Sequence, residues 1–219
     1  MIMAKFIAIF SMRPNIGNTT IALNLGLALH RLGKNVAVLD ADFSKPNMLE
    51  HLDLGSITPL DSVLESSSSI REAIFRHRSG LRIIPSQTSA YQERLRWHLD
   101  DLRSGHDIVI FDAPKEKGAL KELLNQMDEA FIVHSPEYTS KLILDAEAML
   151  KKARTVNLGV IFNKFHEGSI SSIYELPVVA KIPFHDNFIR SFQKKDPLLH
   201  IYPKGHLAGK FYSIAQRLV

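Results

Sequence analysis

The segment Ser11-Met12-Arg13-Pro14-Asn15-Ile16-Gly17-Asn18-Thr19-Thr20 joins an apolar, β-branched run (Lys5–Phe10) to an apolar helical run from about Thr19 to Leu32. A turn at that junction aims backbone N–H groups and the first turn of a helix at one point, which suits a phosphate. Against the phosphate-loop spacing G-x-x-x-x-G-K-[ST], Gly17 and Thr19 fall in register, Met12 stands for the first glycine and Asn18 for the lysine. The chemistry is that of a nucleotide cradle lacking the side chain that usually grips the β- and γ-phosphates. Asp40, Asp112 and Asn163 each end an apolar run, and Asp42 follows Asp40 closely. Singly, each is as readily a helix cap or turn residue. Together, behind a phosphate-loop-like turn, they read as one site.

The elements that must position these residues alternate. Short, nearly continuous apolar runs predict strands at Lys5–Phe10, Asn35–Asp40, Leu81–Pro85, Asp107–Asp112, Glu129–His134, Leu158–Asn163 and Val178–Ile182. Such runs fit strands buried on both faces. Amphipathic stretches predict helices at Thr19–Leu32, Pro46–His51, Ile70–Arg78, Gln92–Arg103, Ala119–Gln126, Ser140–Ala153, Asp186–Lys194 and Leu207–Leu218. Strand–helix alternation with short links gives an α/β fold, a mostly parallel sheet with helices on both faces. Ligands of such sheets sit at the carboxyl ends of the strands, where Phe10, Asp40, Asp112 and Asn163 converge. No repeat or linker divides the chain, so residues 1–219 read as one domain, with Ser66–Ser69 as a flexible loop between helical segments.

The 219 residues carry 45% apolar and 23% charged residues, an ordinary balance for a globular protein. No apolar run approaches the roughly 18–20 residues of a membrane span. The start, Met1-Ile2-Met3-Ala4-Lys5, lacks the layout of a secretory signal, and there is no cysteine. A cytoplasmic location is the expectation. Disulfides, zinc thiolates and iron–sulfur ligation are excluded. The net charge of +4 is uneven: six arginines face two glutamates between residues 71 and 96, and seven basic residues face two aspartates between 181 and 219. These segments are either solvated surface or a footprint for DNA, acidic lipid or an acidic partner. The ten histidines form no H-E-x-x-H pair, and His134 reads as a packed residue. Leu207, Phe211, Ile214 and Leu218 share one helical face, read as core.

Position by position, the rim resembles the MinD/ParA family of P-loop ATPases, whose deviant loop K-G-G-x-G-K-T-T aligns with Arg13-Pro14-Asn15-Ile16-Gly17-Asn18-Thr19-Thr20. The segments VAVLDADFSKPNM, LRIIPSQTSA, HDIVIFDAP, FIVHSPEYTSKLILDAEAML, GVIFNKF and VVAKIPFHDNF resemble further family motifs in family order, across nearly the whole chain. The resemblance implies a P-loop NTPase three-layer sandwich binding ATP or ADP with Mg²⁺. It implies that Arg13, Asn15, Ile16, Gly17, Asn18, Thr19 and Thr20 surround the phosphates, with Thr20 on the α-phosphate and Asn163 and Pro183 at the adenine. It further implies that Thr19, Asp40 and Asp112 hold the metal, directly or through water, and that Asp42 positions the attacking water while Arg13 reaches across a homodimer.

The departures carry their own expectations. Asn18 removes a full charge, and Pro14 removes a loop N–H. Met12 and Asn15 replace glycines where the family's loop turns sharply; Asn tolerates left-handed geometry better than Met. Arg13 keeps a charge and adds a fork. The pilus-positioning proteins CpaE and TadZ and the cellulose-synthesis protein BcsQ resemble MinD and relax the same loop; the receiver-like domain that precedes the fold in the pilus proteins, and the basic amphipathic tail that follows it in MinD, are expected to be missing here. The leading expectation is a homodimeric positioning or assembly factor with weak or absent ATP hydrolysis and a protein partner. The alternatives are a slow but active ATPase in partitioning or septum placement, with Arg13 replacing the lysine, and a nonspecific DNA-binding module of ParA type acting through segments 71–96 and 181–219.

Overall fold

The apolar runs pair edge to edge as an eight-stranded sheet in the computed structural model, which describes residues 3–66, 68–87, 92–166 and 177–219. The strands are β1 (Lys5–Phe10), β2 (Val36–Asp40), β3 (Phe75–Arg76), β4 (Arg82–Ile84), β5 (Ile108–Asp112), β6 (Glu129–His134), β7 (Val156–Phe165) and β8 (Val178–Pro183). Their order across the sheet is β3-β4-β2-β5-β1-β6-β7-β8. Every pairing is parallel except that of β3 with β4. The seven expected strands are all present, with ends shifted by up to two residues.

Alternation along the strands feeds two cores. Phe6, Ala8, Phe10, Leu39, Phe111 and Ile132 face one side, beneath α3 (Leu60–Glu65), α4 (Leu99–Gly105), α5 (Lys117–Leu124) and α6 (Lys141–Ala153). Ile7, Ile9, Val38, Ile110, Phe131 and Ile161 face the other, beneath α1 (Asn18–Arg31), α2 (Met48–His51), α8 (Leu198–Ile201) and α9 (His206–Ala215), with α7 (Asp186–Gln193) at the edge. Leu207, Phe211 and Ile214 of α9 are buried in this second core, as the helical spacing predicts. Helix α1 is apolar nearly all round because it lies between the sheet and the α8–α9 layer. Each of its buried leucines and isoleucines contributes about 1.5–3 kcal/mol. Among the described residues, no helix is long and apolar enough to cross a membrane.

The structure corrects the expected helix Ile70–Arg78. Ser69 Oγ accepts from the Arg71 N–H and caps a single 3-10 turn, Ile70–Ala73. The chain then extends into β3 and reverses through a turn closed by the Gly80 N–H on the His77 carbonyl. The cap at Ser69 starts a helical turn, but pairing of Phe75 and Arg76 with β4 draws the following residues into the sheet, a tertiary contact overriding local helical preference. The expected helix Gln92–Arg103 is likewise divided into a 3-10 helix, Gln92–His98, and α4. Helices α3 and α8 follow Pro59 and Pro197 and are too short for their period to be read from the sequence. Of the Ser66–Ser69 loop, Ser67 lies outside the described residues.

Strand order reverses at β1, which has β5 on one side and β6 on the other. This switch point opens a crevice at the carboxyl ends of the strands. Asp40 and Asp112 sit directly opposite one another at the ends of β2 and β5. Helix α1 can approach them closely because Gly26 lies against Val38, and a Cβ at Gly26 would collide with the Val38 Cγ2. Gly26→Ala is therefore expected to destabilise the fold by about 1–2 kcal/mol despite the better helix propensity of alanine. Urea denaturation of Gly26→Ala, Val38→Ala and the double variant checks this: the double variant should lose less than the sum of the single losses.

Candidate nucleotide and cation site

The loop after β1 owes its shape to two left-handed residues, Asn15 (φ 60°) and Gly17 (φ 101°). Met12 is not left-handed, so the strain expected there does not arise. At Gly17 the requirement is double, since a Cβ would also strike the side-chain amide of Asn163. That amide donates to the Ile16 carbonyl at 2.7 Å, and Lys164 Nζ donates to the Asn15 carbonyl at 2.9 Å. The end of β7 thus clips the loop from outside, while Ile16 is buried beneath it. Helix α1 then starts at Asn18 with no side-chain cap and no acidic residue in its first turn. Its leading N–H groups and the positive end of its dipole are left for an anion.

Beneath the loop lies an oxygen-rich corner. Thr19 Oγ1 is 2.5 Å from Asp112 Oδ2 and 2.7 Å from Asn47 Oδ1, so one hydroxyl proton is shared between two acceptors. A hydroxyl, a carboxylate and an amide carbonyl converging in this way match the donor set of a hard divalent cation. The electrostatics agree. Burial holds the Asp112 carboxyl well above the usual range, and the neighbouring charge of Asp40 adds to the effect. Burial likewise pushes Asp40 up to about 7, against the pull of its backbone donors. Asp40 itself is committed to the chain: Oδ1 accepts from the Asp42 N–H, and Oδ2 accepts from the Asn47 and Met48 N–H groups. It therefore suspends the 41–48 loop, and any role toward a metal passes through water or through Asn47. Asp42 is only 2% exposed; it accepts from Ser44 Oγ at 2.7 Å and pairs with Lys115 Nζ at 3.0 Å.

Loop and corner open onto a cleft of about 410 Å³, a volume suited to a small ligand. Asn15, Ile16, Gly17, Asn18, Thr19 and Thr20 form one side, and Asn47, His51 and Lys115 the floor. Asn163 and Lys164, bonded to the loop, and Pro183 line it as well, and Phe184, Phe188, Ile189 and Phe192 make an apolar wall. His51 meets the Phe192 ring edge-on at 4.9 Å, and burial pushes its pKa down to about 4, with the Lys115 charge acting in the same sense. A second cavity, of about 390 Å³, lies between Phe43, Leu95, Leu99 and Leu123 and contains none of the loop residues.

The sequence-derived set is thus largely brought together: the loop from Asn15 to Thr20, Asn163 and Pro183 line one cleft, with Asp112, Asp40 and Asp42 behind it. Arg13 stands apart. It is exposed and borders a groove with His134, Tyr138 and Leu142 rather than the cleft. Lys115, Lys164, Asn47, His51 and the phenylalanines of the wall were not anticipated. Lys115 had a signal, as the first cation after the strand-end turn Asp112-Ala113-Pro114, and Phe184, Phe188 and Phe192 recur at the four-residue spacing of one helix face.

The comparisons with known proteins agree with this geometry. Residues 7–198 match the family model described as the CobQ/CobB/MinD/ParA nucleotide binding domain. An uncharacterized ATP-binding protein of Methanocaldococcus jannaschii is 32% identical over 238 aligned positions, covering 100% of this chain and 89% of the relative. Among solved structures, the cell division ATPase MinD of Pyrococcus furiosus superposes with a TM-score of 0.86 at 21% identity, covering 99% of this chain and 98% of its own. The septum site-determining protein MinD of Pyrococcus horikoshii, complexed with Mg-ADP, superposes at 0.84 and 21% identity, covering 99% and 96%. A loop, an oxygen corner and a strand order of this kind, matched along most of the chain, place it in the CobQ/CobB/MinD/ParA nucleotide-binding family.

Proposed function

We propose that the protein is a MinD/ParA-type positioning or assembly factor in which nucleotide holds two copies together and hydrolysis is weak or absent. One observation carries the reading: the Thr19–Asn47–Asp112 corner is intact beneath a loop whose Asn18 brings no charge to the phosphates. The loop N–H groups and the start of α1 would take the phosphates. Thr19, Asn47 and Asp112 would hold Mg²⁺, with Asp40 acting through the loop it suspends. Mg²⁺ would supply the charge that neutralises the β- and γ-phosphates. The amide of Asn163 and the apolar wall from Phe184 to Phe192 suit the edge and face of a purine. A charge-assisted hydrogen bond contributes about 1.5–3 kcal/mol, so its absence at Asn18 lowers affinity by roughly 10- to 100-fold. The effect on hydrolysis is larger, because charge builds on the phosphoryl oxygens in the transition state.

A second reading rests on Arg13. Exposed, outside the cleft and without an ion pair among the described residues, it is free to reach the cleft of a facing copy and act as an arginine finger. The protein is then a slow ATPase.

Three outcomes are expected. Calorimetric titration with Mg·ATP gives micromolar binding, and light scattering reports a shift from monomer to dimer; no binding at millimolar ATP would remove the nucleotide reading. Mg²⁺-dependent phosphate release stays near background and is unaffected by Arg13→Ala, whereas turnover abolished by that change would establish the second reading. The third concerns pH. The folded-state pKa of Asp40 lies above its ordinary value of 3.8, at about 7, so its contribution to stability is complete below about pH 4 and is lost as pH rises through 7. Relative to Asp40→Asn, the unliganded protein should lose roughly 2–4 kcal/mol between pH 4 and pH 7.5 in urea denaturation. A constant difference would mean that Asp40 ionises freely.

A further inference from the structure

We propose that Lys115 supplies the phosphate-binding charge that the loop lacks, reaching the cleft from the turn after β5, and that Asp42 holds it in reserve until a nucleotide arrives. The inference rests on the nucleotide-binding reading given above.

Four observations converge on Lys115. It lines the same cleft as Gly17, Asn18 and Thr19, from the side of the Thr19–Asp112 corner. Its side chain is only 22% exposed and its partner Asp42 3%, so the pair sits in surroundings where opposite charges attract more strongly than in bulk water. Its partner is a single carboxylate, Asp42 Oδ2, at 3.0 Å, and the pair lacks hydrogen-bond alignment, leaving Asp42 Oδ2 buried without a true donor. A phosphate oxygen, offering better hydrogen-bond alignment to the ammonium group, can compete for it. Lastly, Asn18 Oδ1 is buried at the cleft and has no hydrogen-bond partner. An ammonium group has three donors, enough to serve a phosphate and the orphaned Asn18 carbonyl together. The charge of Lys115 is already felt at the site, since it acts against the upward shift of Asp112.

The other cations are less well placed. Lys164 also lines the cleft, but its ammonium group is already engaged with the Asn15 carbonyl at 2.9 Å, and Arg13 borders a different groove. The lysine missing from position 18 is thus replaced by one on a neighbouring strand end, with the same point charge approaching the cradle from below. The exchange has a cost: Asp42 loses its cation while buried, retaining the Ser44 hydroxyl and the Lys45 N–H as donors. Asp42 therefore competes with the ligand for Lys115.

Calorimetry of Mg·ATP and adenosine binding to the full chain tests this with five proteins: wild type, Lys115→Met, Asp42→Asn, Asp42→Asn/Lys115→Met and Asn18→Lys/Lys115→Met. Lys115→Met should weaken ATP binding by about 10- to 100-fold and leave adenosine binding unchanged. Asp42→Asn should strengthen ATP binding, and Asn18→Lys should restore it in the Lys115→Met background. The Asp42→Asn/Lys115→Met protein carries no orphaned charge. It keeps the test decisive where the single variant folds poorly, and should bind ATP at least 10-fold more weakly than Asp42→Asn. If wild type binds ATP and removing Lys115 changes nothing in either background, the inference falls and the nucleotide reading stands. If wild type binds neither ATP nor adenosine, the nucleotide reading itself falls.

Discussion

The hydroxyl of Thr19, set against the carboxylate of Asp112, pins the first turn of α1 to the end of β5 across 93 residues of sequence. Much of the site hangs from this contact. It fixes where the loop must return to the sheet, and it brings the N–H groups of α1 over the strand ends. It also sets Asp112 beside Asp40, which lies opposite it in the sheet. The close seating of α1 on Val38 and the clip from Asn163 to Ile16 secure the same geometry from above and from outside. A hydrogen bond to a buried carboxylate is strong because leaving that carboxylate without a donor is costly.

That geometry gathers charge of one sign. Asp40, Asp42 and Asp112 are each nearly inaccessible to solvent and are placed within one corner, with Lys115 as the nearby cation. The protein manages the surplus in three ways. Asp40 is given three backbone donors. Asp42 is given a hydroxyl, the Lys45 N–H and an ammonium group. Asp112 shares the Thr19 proton with Asn47. None of these supplies a net charge equal to the deficit, so Asp40 and Asp112 favour their protonated forms. Carboxyls that resist ionisation when alone would ionise more readily beside a cation.

The sheet was legible because buried parallel strands announce themselves as unbroken β-branched runs between turn residues. The strand ends Asp40, Asp112 and Asn163 followed from that pattern, and the loop from its glycine and threonine spacing. The hidden parts share a physical cause. Helices α3 and α8 are shorter than two periods, so no amphipathic signal accumulates. Segment 70–78 has helical composition, yet only one capped 3-10 turn forms before β4 recruits Phe75 and Arg76 as an edge strand. Lys115, Lys164 and Asn47 reach the cleft through tertiary packing, and each is an ordinary polar residue in a turn or at a strand end when read along the chain. Arg13, assigned by the motif resemblance to a reach across a homodimer, lies outside the chain's own cleft and is exposed.

The suspension of the 41–48 loop from Asp40 gives that loop an unusual mechanical status. Its backbone hangs from one carboxylate at both ends, through Asp42 and through Asn47 and Met48. Its tip, Ser44 and Lys45, is exposed, and its far end supplies the Asn47 oxygen that faces Thr19. The exposed tip and the interior corner are therefore tied to the same buried carboxylate, so the loop's anchorage depends on the hydrogen bonds that Asp40 accepts.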